Sequence, residues 1–137
     1  MKTLLIADGL FTLVLGPVLL LFPTMIFHLL GATATELSIF VLRLYGAILL
    51  ANAFFMLFSR NSADLSVLRG FAWGSLVMDA ISAAFAALAV MHGTINGFGW
   101  LLFTVFTLFT IGFFLAIRTL DAMRFFFSPA SEAEIIE

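Results

Sequence analysis

Four long apolar runs, separated by three short polar interruptions, make up most of this chain. A helix that crosses a membrane needs about 20 mostly apolar residues, and residues 3–22, 37–58, 68–90 and 98–118 each meet that length. The interruptions are "PTMIFHLLGATATE", "SRNSADLS" and "MHGTING". Pro23, the polar cluster Ser59–Ser66 and the group Gly93, Asn96 and Gly97 act as breakers. Short connections make consecutive helices antiparallel neighbours. The pattern therefore predicts an all-α, integral membrane four-helix bundle in up-down-up-down order, a single domain. After it, residues 119–137 form an amphipathic extension or a frayed tail, with Phe125–Phe127 in the headgroup layer under the first reading.

Composition strengthens this picture. Of 137 residues, 64% are hydrophobic and 10% charged, against about 45–50% and about 25% in soluble domains. A mean hydropathy of +1.22 leaves more apolar surface than a core of this size can bury, so the lipid bilayer is the expected partner. The opening "MKTLLIADGLF" begins like a signal peptide, but Asp8 interrupts it and no small-x-small cleavage site follows before Pro23. It reads as a retained first helix.

Charge supplies orientation. Lys2, Arg60, Arg69, Arg118 and Arg124 fall at helix ends that share one side, whereas residues 23–36 and 91–97 contain no Lys or Arg. Positive residues mark the cytoplasmic face, so both termini are expected inside. Trp73 and Trp100 fall near opposite membrane interfaces, as an aromatic belt requires. A net charge of −2 without a basic patch argues against a nucleic-acid partner. No cysteine is present, which removes disulfides, thiolate metal sites and cysteine nucleophiles.

Against this background the polar residues inside the spans stand out. Arg43 lies six residues past Leu37, about 9 Å into its helix. It shares a stripe with Glu36, Phe40, Gly46, Ala47 and Leu50. Small residues mark close helix contact in membranes, so Arg43 is expected to point into the bundle. Asp79 occupies mid-span on a stripe with Ala72, Ser75, Ser82, Ala83 and Ala86, while Val77, Ile81, Phe85 and Leu88 take the opposite face. Asp79 is therefore expected to face protein.

Helical rise sets the Arg43 and Asp79 Cα depths about 9 Å apart, and their side chains lean away from each other. Three readings follow: a polar clasp fixing helix register, an ion or ligand site on Asp79 with Arg43 as counter-charge, or an arginine that snorkels outward. The clasp is favoured.

Asp8, Asn52 and Ser75 lie at similar depth near the inner edge and with Asp79 could line a polar notch. The favoured alternative has Asp8 solvated at the interface and Asn52 bonded to an adjacent helix. His28, His92 and Glu36, all on the outer side, make a weak candidate metal set with no recognised spacing. In the last span Phe103, Phe106, Phe109 and Thr104, Thr107, Thr110 form slanted ridges, and the threonines could bond their own i−4 carbonyls.

There is no phosphate loop, no His-Glu-x-x-His, no nucleophile elbow and no carboxylate pair at helical spacing. The reading leans away from an enzyme. It favours a non-catalytic accessory or assembly subunit of a membrane complex, or a self-associating bundle. The alternative is a small transporter or a binder of a hydrophobic ligand (quinone, lipid or pigment) using Asp79 and Arg43. No cofactor is called for beyond such a ligand.

"GPVLLLFP" closing the first helix, "LLG" after it, "LRLYGAILLANAFFMLF" in the second and "INGFGWLLF" opening the fourth resemble small bacterial four-helix inner-membrane proteins. These are DoxX-like or belong to families of unknown function. The resemblance spans about residues 3–118. It implies a four-helix bundle in a bacterial inner membrane and assigns no activity and no functional residue.

Overall fold

The computed structural model describes residues 1–60, 62 and 64–127, the last seven by backbone alone. The described chain is all-helical: α1 (Lys2–Leu21), α2 (Pro23–Leu29), α3 (Glu36–Ser59), α4 (Leu65–Met91) and α5 (Gly99–Phe127). Among these, α1, α3, α4 and α5 are long and apolar enough to cross a membrane.

The boundaries follow local chemistry, and three depart from the apolar pattern. The seven-residue α2 forms where a loop was expected, because Pro23 occupies its first turn and suits a position where the missing N–H has no helical partner. α4 starts at Leu65 rather than at 68. Asp64 caps it, its Oδ1 accepting from the Ser66 backbone N–H at 2.8 Å and from the Ser66 hydroxyl at 2.7 Å. α5 does not stop near 118 but continues to Phe127, taking in the start of the expected tail; residues 128–137 lie outside the described residues.

Two turns require glycine. Gly31 and Gly93 have φ of 66° and 68°, a left-handed conformation unfavourable for other residues. Each ends a helix with the paired backbone bonds of a Schellman turn: Gly31 N to His28 O and Ala32 N to Phe27 O, then Gly93 N to Val90 O and Thr94 N to Ala89 O.

Contacts pair the long helices into two hairpins, α1 with α3 and α4 with α5. In the first hairpin Gly9 lies against Met56 and Leu57, and Gly16 against Gly46 and Leu50, so the chains run antiparallel. The hairpins meet mainly at the end carrying Lys2, Arg60 and Arg69. There Leu5, Met56, Leu68, Ala72, Phe113 and Ile117 form one buried cluster drawn from all four long helices.

Most other large apolar side chains face outward, including Val14 at 68% exposure and Phe58 at 80%. A water-soluble bundle would bury these faces; lipid can cover them.

Candidate functional site

Away from the basic end the two hairpins leave a cavity of about 1100 Å³ between them. α1 contributes Phe11, Leu15 and Leu19, and α5 contributes Leu102, Val105 and Phe106. Phe11 packs edge-on against Phe106, with ring centroids 6.1 Å apart, and lies against Phe109 at 5.6 Å. These rings close the seam between α1 and α5. On the other side Val41 of α3 and Ile81 and Phe85 of α4 line the cavity yet remain exposed. The cavity therefore opens sideways between α3 and α4.

Its far end is closed by α2 and by a clamp between the connecting loops. Asn96, in the loop before α5, donates its backbone N–H to Leu30 O at 2.7 Å and its amide Nδ2 to Leu29 O at 2.8 Å. Its own Oδ1 accepts from Phe98 N at 2.9 Å. One side chain thus turns its own loop and ties it to α2. Sequence reading identified Asn96 only as a breaker.

Among the described residues no charged side chain lines the cavity. Its polar lining is Thr35, Ser38, Tyr45 and Ser82. Thr35 and Ser38 satisfy each other in the box that caps α3. The Tyr45 and Ser82 hydroxyls stand 3.3 Å apart and join α3 to α4. They are the polar groups left to face an occupant.

Deeper toward the basic end, Ser82 gives way on the same face of α4 to Asp79 and then Ser75, three and seven residues back. Both are buried, and so is Asp8 of α1 opposite them. The Ser75 hydroxyl faces the Asp8 carboxyl, and Asp8 lies within Coulombic reach of Asp79. Neither oxygen of Asp8, nor Ser75 Oγ, nor Asp79 Oδ2 closes a hydrogen bond of ordinary geometry. Thr12, one turn above Asp8, spends its hydroxyl on the Asp8 and Gly9 carbonyls at 2.8 and 3.2 Å.

DUF8292, a domain of unknown function, matches residues 6–135. The chain belongs to this family. No curated protein and no solved structure matches it. In this DUF8292 chain the cavity and the acid pair are therefore read from their own chemistry.

The pair itself corrects two expectations. Asp8 is buried rather than solvated, because α1 turns it into the seam between the hairpins. Arg43 is exposed rather than turned into the bundle, whereas Asp79 is 1% exposed. The reason is geometric. Gly46 and Leu49 take the buried face of α3, and Arg43 falls outside the arc they define.

Asn52 faces α4, with Nδ2 4.0 Å from the sulfurs of Met56 and Met78. It does not join the acids. His28, His92 and Glu36 are all exposed, and among the described residues no three His, Asp or Glu side chains are grouped to hold a metal ion. His28 lies within α2, not in a loop. Thr104 and Thr110 bond the carbonyls of Trp100 and Phe106 at 2.8 Å, the i−4 pattern the ridge suggested.

Tyr45 was missed as a site residue. Its signal was available: Tyr45 and Asn52, the polar residues opposite Arg43, lie seven residues apart on one face of α3.

Proposed function

We propose that this protein binds an uncharged lipophilic molecule, a lipid, quinone or pigment with a hydrogen-bonding head, in the cavity between its hairpins. One observation carries the reading: a cavity of about 1100 Å³ whose lining, among the described residues, includes no charged side chain and offers the Tyr45–Ser82 hydroxyl pair. Ligand pockets commonly span about 300–1,000 Å³ and are mostly apolar, with a few polar groups fixing orientation. The sideways opening between α3 and α4 gives a membrane-dissolved molecule a route that avoids water. A charged headgroup would lack a counter-charge there. This reading leaves Arg43 out of the ligand site and assigns no reaction.

The accompanying topology has both ends of the chain in the cytoplasm of a bacterium, with the protein in its inner membrane. The clustering of Lys2, Arg60 and Arg69 at one end supports the orientation, and the DoxX-like resemblance supports the bacterial setting.

Mass spectrometry after gentle extraction tests the binding reading. A neutral lipophile retained at one per chain is expected, and Ala86→Trp, which fills the cavity wall, should abolish retention. A chain that carries no small molecule would overturn it.

A second reading is an accessory subunit or self-associating bundle. It is favoured by Arg43, a guanidinium exposed on a largely apolar helix, which a neighbouring protein would satisfy better than lipid. A stoichiometric protein partner in the same mass spectrum is its signature.

A further inference from the structure

We propose that Asp8 and Asp79 together form a proton-binding site at the seam of the two hairpins, and that the bound proton is what allows the hairpins to close there. The two carboxyl groups come from different hairpins, one from α1 and one from α4. Both are buried at the 0–1% level, with the unpartnered hydroxyl of Ser75, 3% exposed, turned into the same space.

Two buried carboxylates within Coulombic reach of each other repel in a low-dielectric interior, and each buried ion needs a compensating donor or charge. Beyond the Ser75 hydroxyl, the described residues supply none. α3 presents Asn52, whose amide is directed at methionine sulfurs. α5 contributes the buried rings of Phe106 and Phe113. On α4 the nearest cation is Arg69, ten residues from Asp79 and so about 15 Å along the axis. Lys2 on α1 and Arg43 on α3 are exposed. The Tyr45 hydroxyl is directed at Ser82.

Among the described residues no side chain supplies the missing positive charge, and the geometry selects the size of what does. Asp8 Oδ1 and Oδ2, Ser75 Oγ and Asp79 Oδ2 have essentially no accessible surface, so no water-sized gap adjoins them. A hydrated or partly hydrated metal ion needs such room; a proton does not. A carboxyl that holds the proton becomes a donor to the other carboxylate, and Ser75 can complete the set. When the hairpins part, the water this admits takes the proton, and the two negative charges left facing each other across the seam oppose its closing again.

Position couples this site to the cavity. Asp79 lies three residues from Ser82, whose hydroxyl meets that of Tyr45 beside the cavity. Parting at the acids would draw that hydroxyl pair apart. The proton site is nevertheless independent of what the cavity holds.

The absence of native cysteine allows a direct test in the full-length protein in lipid nanodiscs. Spin labels at Thr3→Cys on α1 and Gly70→Cys on α4, both exposed positions, report separation of the hairpins at the acid end. The open-to-closed ratio should rise with pH by up to about tenfold per unit, the limit for one linked proton. It should be the same in sodium and in choline buffers. In the Asp8→Asn/Asp79→Asn variant, whose neutral amides keep the shape of protonated carboxyls, it should stay closed at every pH. A wild-type distance that ignores pH overturns the proposal, as does a pH response that survives in the double variant. A separation that follows sodium at fixed pH overturns it in favour of a metal cation. If the double variant fails to fold, the wild-type pH and sodium series decide. Loss of the retained lipophile with an intact pH response would refute the cavity reading alone.

Discussion

Gly16 of α1 and Gly46 of α3 cross in direct backbone contact: a Cβ built on Gly16 would stand 2.9 Å from the Gly46 carbonyl oxygen, and one on Gly46 2.7 Å from that of Gly16. Real Cβ atoms do not approach backbone this closely, so this crossing sets how near the two helices can lie. Without a hydrophobic drive between helices in lipid, such close van der Waals contact is a main source of association.

Gly16→Ala or Gly46→Ala should therefore force the hairpin open, destabilising it by about 1–3 kcal/mol, the usual range for overpacking. Gly46→Ala should be the worse, since its Cβ would meet backbone at 2.7 and 2.9 Å, where that of Gly16 would meet it at 2.9 and 3.0 Å. Gly74→Ala is the control, because nothing lies within 4 Å of its added Cβ. Unfolding free energies in bicelles would rank the three. Equal effects at Gly74 and Gly46 would contradict the crossing.

The loop clamp makes a second expectation. Asn96→Ala removes the bond to Leu29 O and the acceptor for Phe98 N while leaving the backbone bond to Leu30 O. Losing a hydrogen bond and stranding its partner costs about 1–3 kcal/mol. Hydrogen exchange should quicken at the Asn96 and Phe98 amides, with the buried cluster around Leu5 and Phe113 unaffected.

Arg43 separates two physical pictures. If it paired with Asp79 inside the bundle, removing it would leave a buried charge alone and cost about 3–5 kcal/mol. It is instead exposed on a helix long and apolar enough to cross a membrane, where arginine itself would be unfavourable by up to about 2.5–3.5 kcal/mol. Arg43→Leu should therefore leave the isolated bundle equally stable or more stable. A large loss of stability would restore the paired arrangement.

At the cavity, Tyr45→Phe and Ser82→Ala each remove one hydroxyl of a bonded pair. If the pair receives the head of a lipophilic ligand, each change should weaken retention by a few-fold to about tenfold, consistent with about 0.5–1.5 kcal/mol per hydrogen bond. The double change should add less than the sum, because the two sites share one partner. Competition with a fluorescent neutral lipid would read this out.

How much of this was legible in one dimension differs from residue to residue. The four long helices, their approximate ends and their all-helical character follow from runs of about 20 apolar residues, a local property of the chain. The face of Asp79 was legible too, since small residues surround it on α4 and bulky ones lie opposite, and it is buried as that pattern required. The α2 helix was not legible, because seven residues between a proline and a glycine carry too little periodicity to separate a turn of helix from a loop.

What the tertiary structure alone decided is which faces meet. A helical stripe states which residues share a side, and gives no indication of which neighbour covers that side or how closely. Arg43 looked inward because Gly46 shares its stripe, yet α1 takes the arc centred on Gly46 and Leu49 and leaves Arg43 outside it. Asp8 looked interfacial from its distance along α1, but the seam between hairpins reaches that depth and buries it against α4. The cavity has no sequence signal at all. It exists because each hairpin packs tightly within itself while the two make few contacts with each other, an outcome set by side-chain volumes summed across four helices rather than by any one of them.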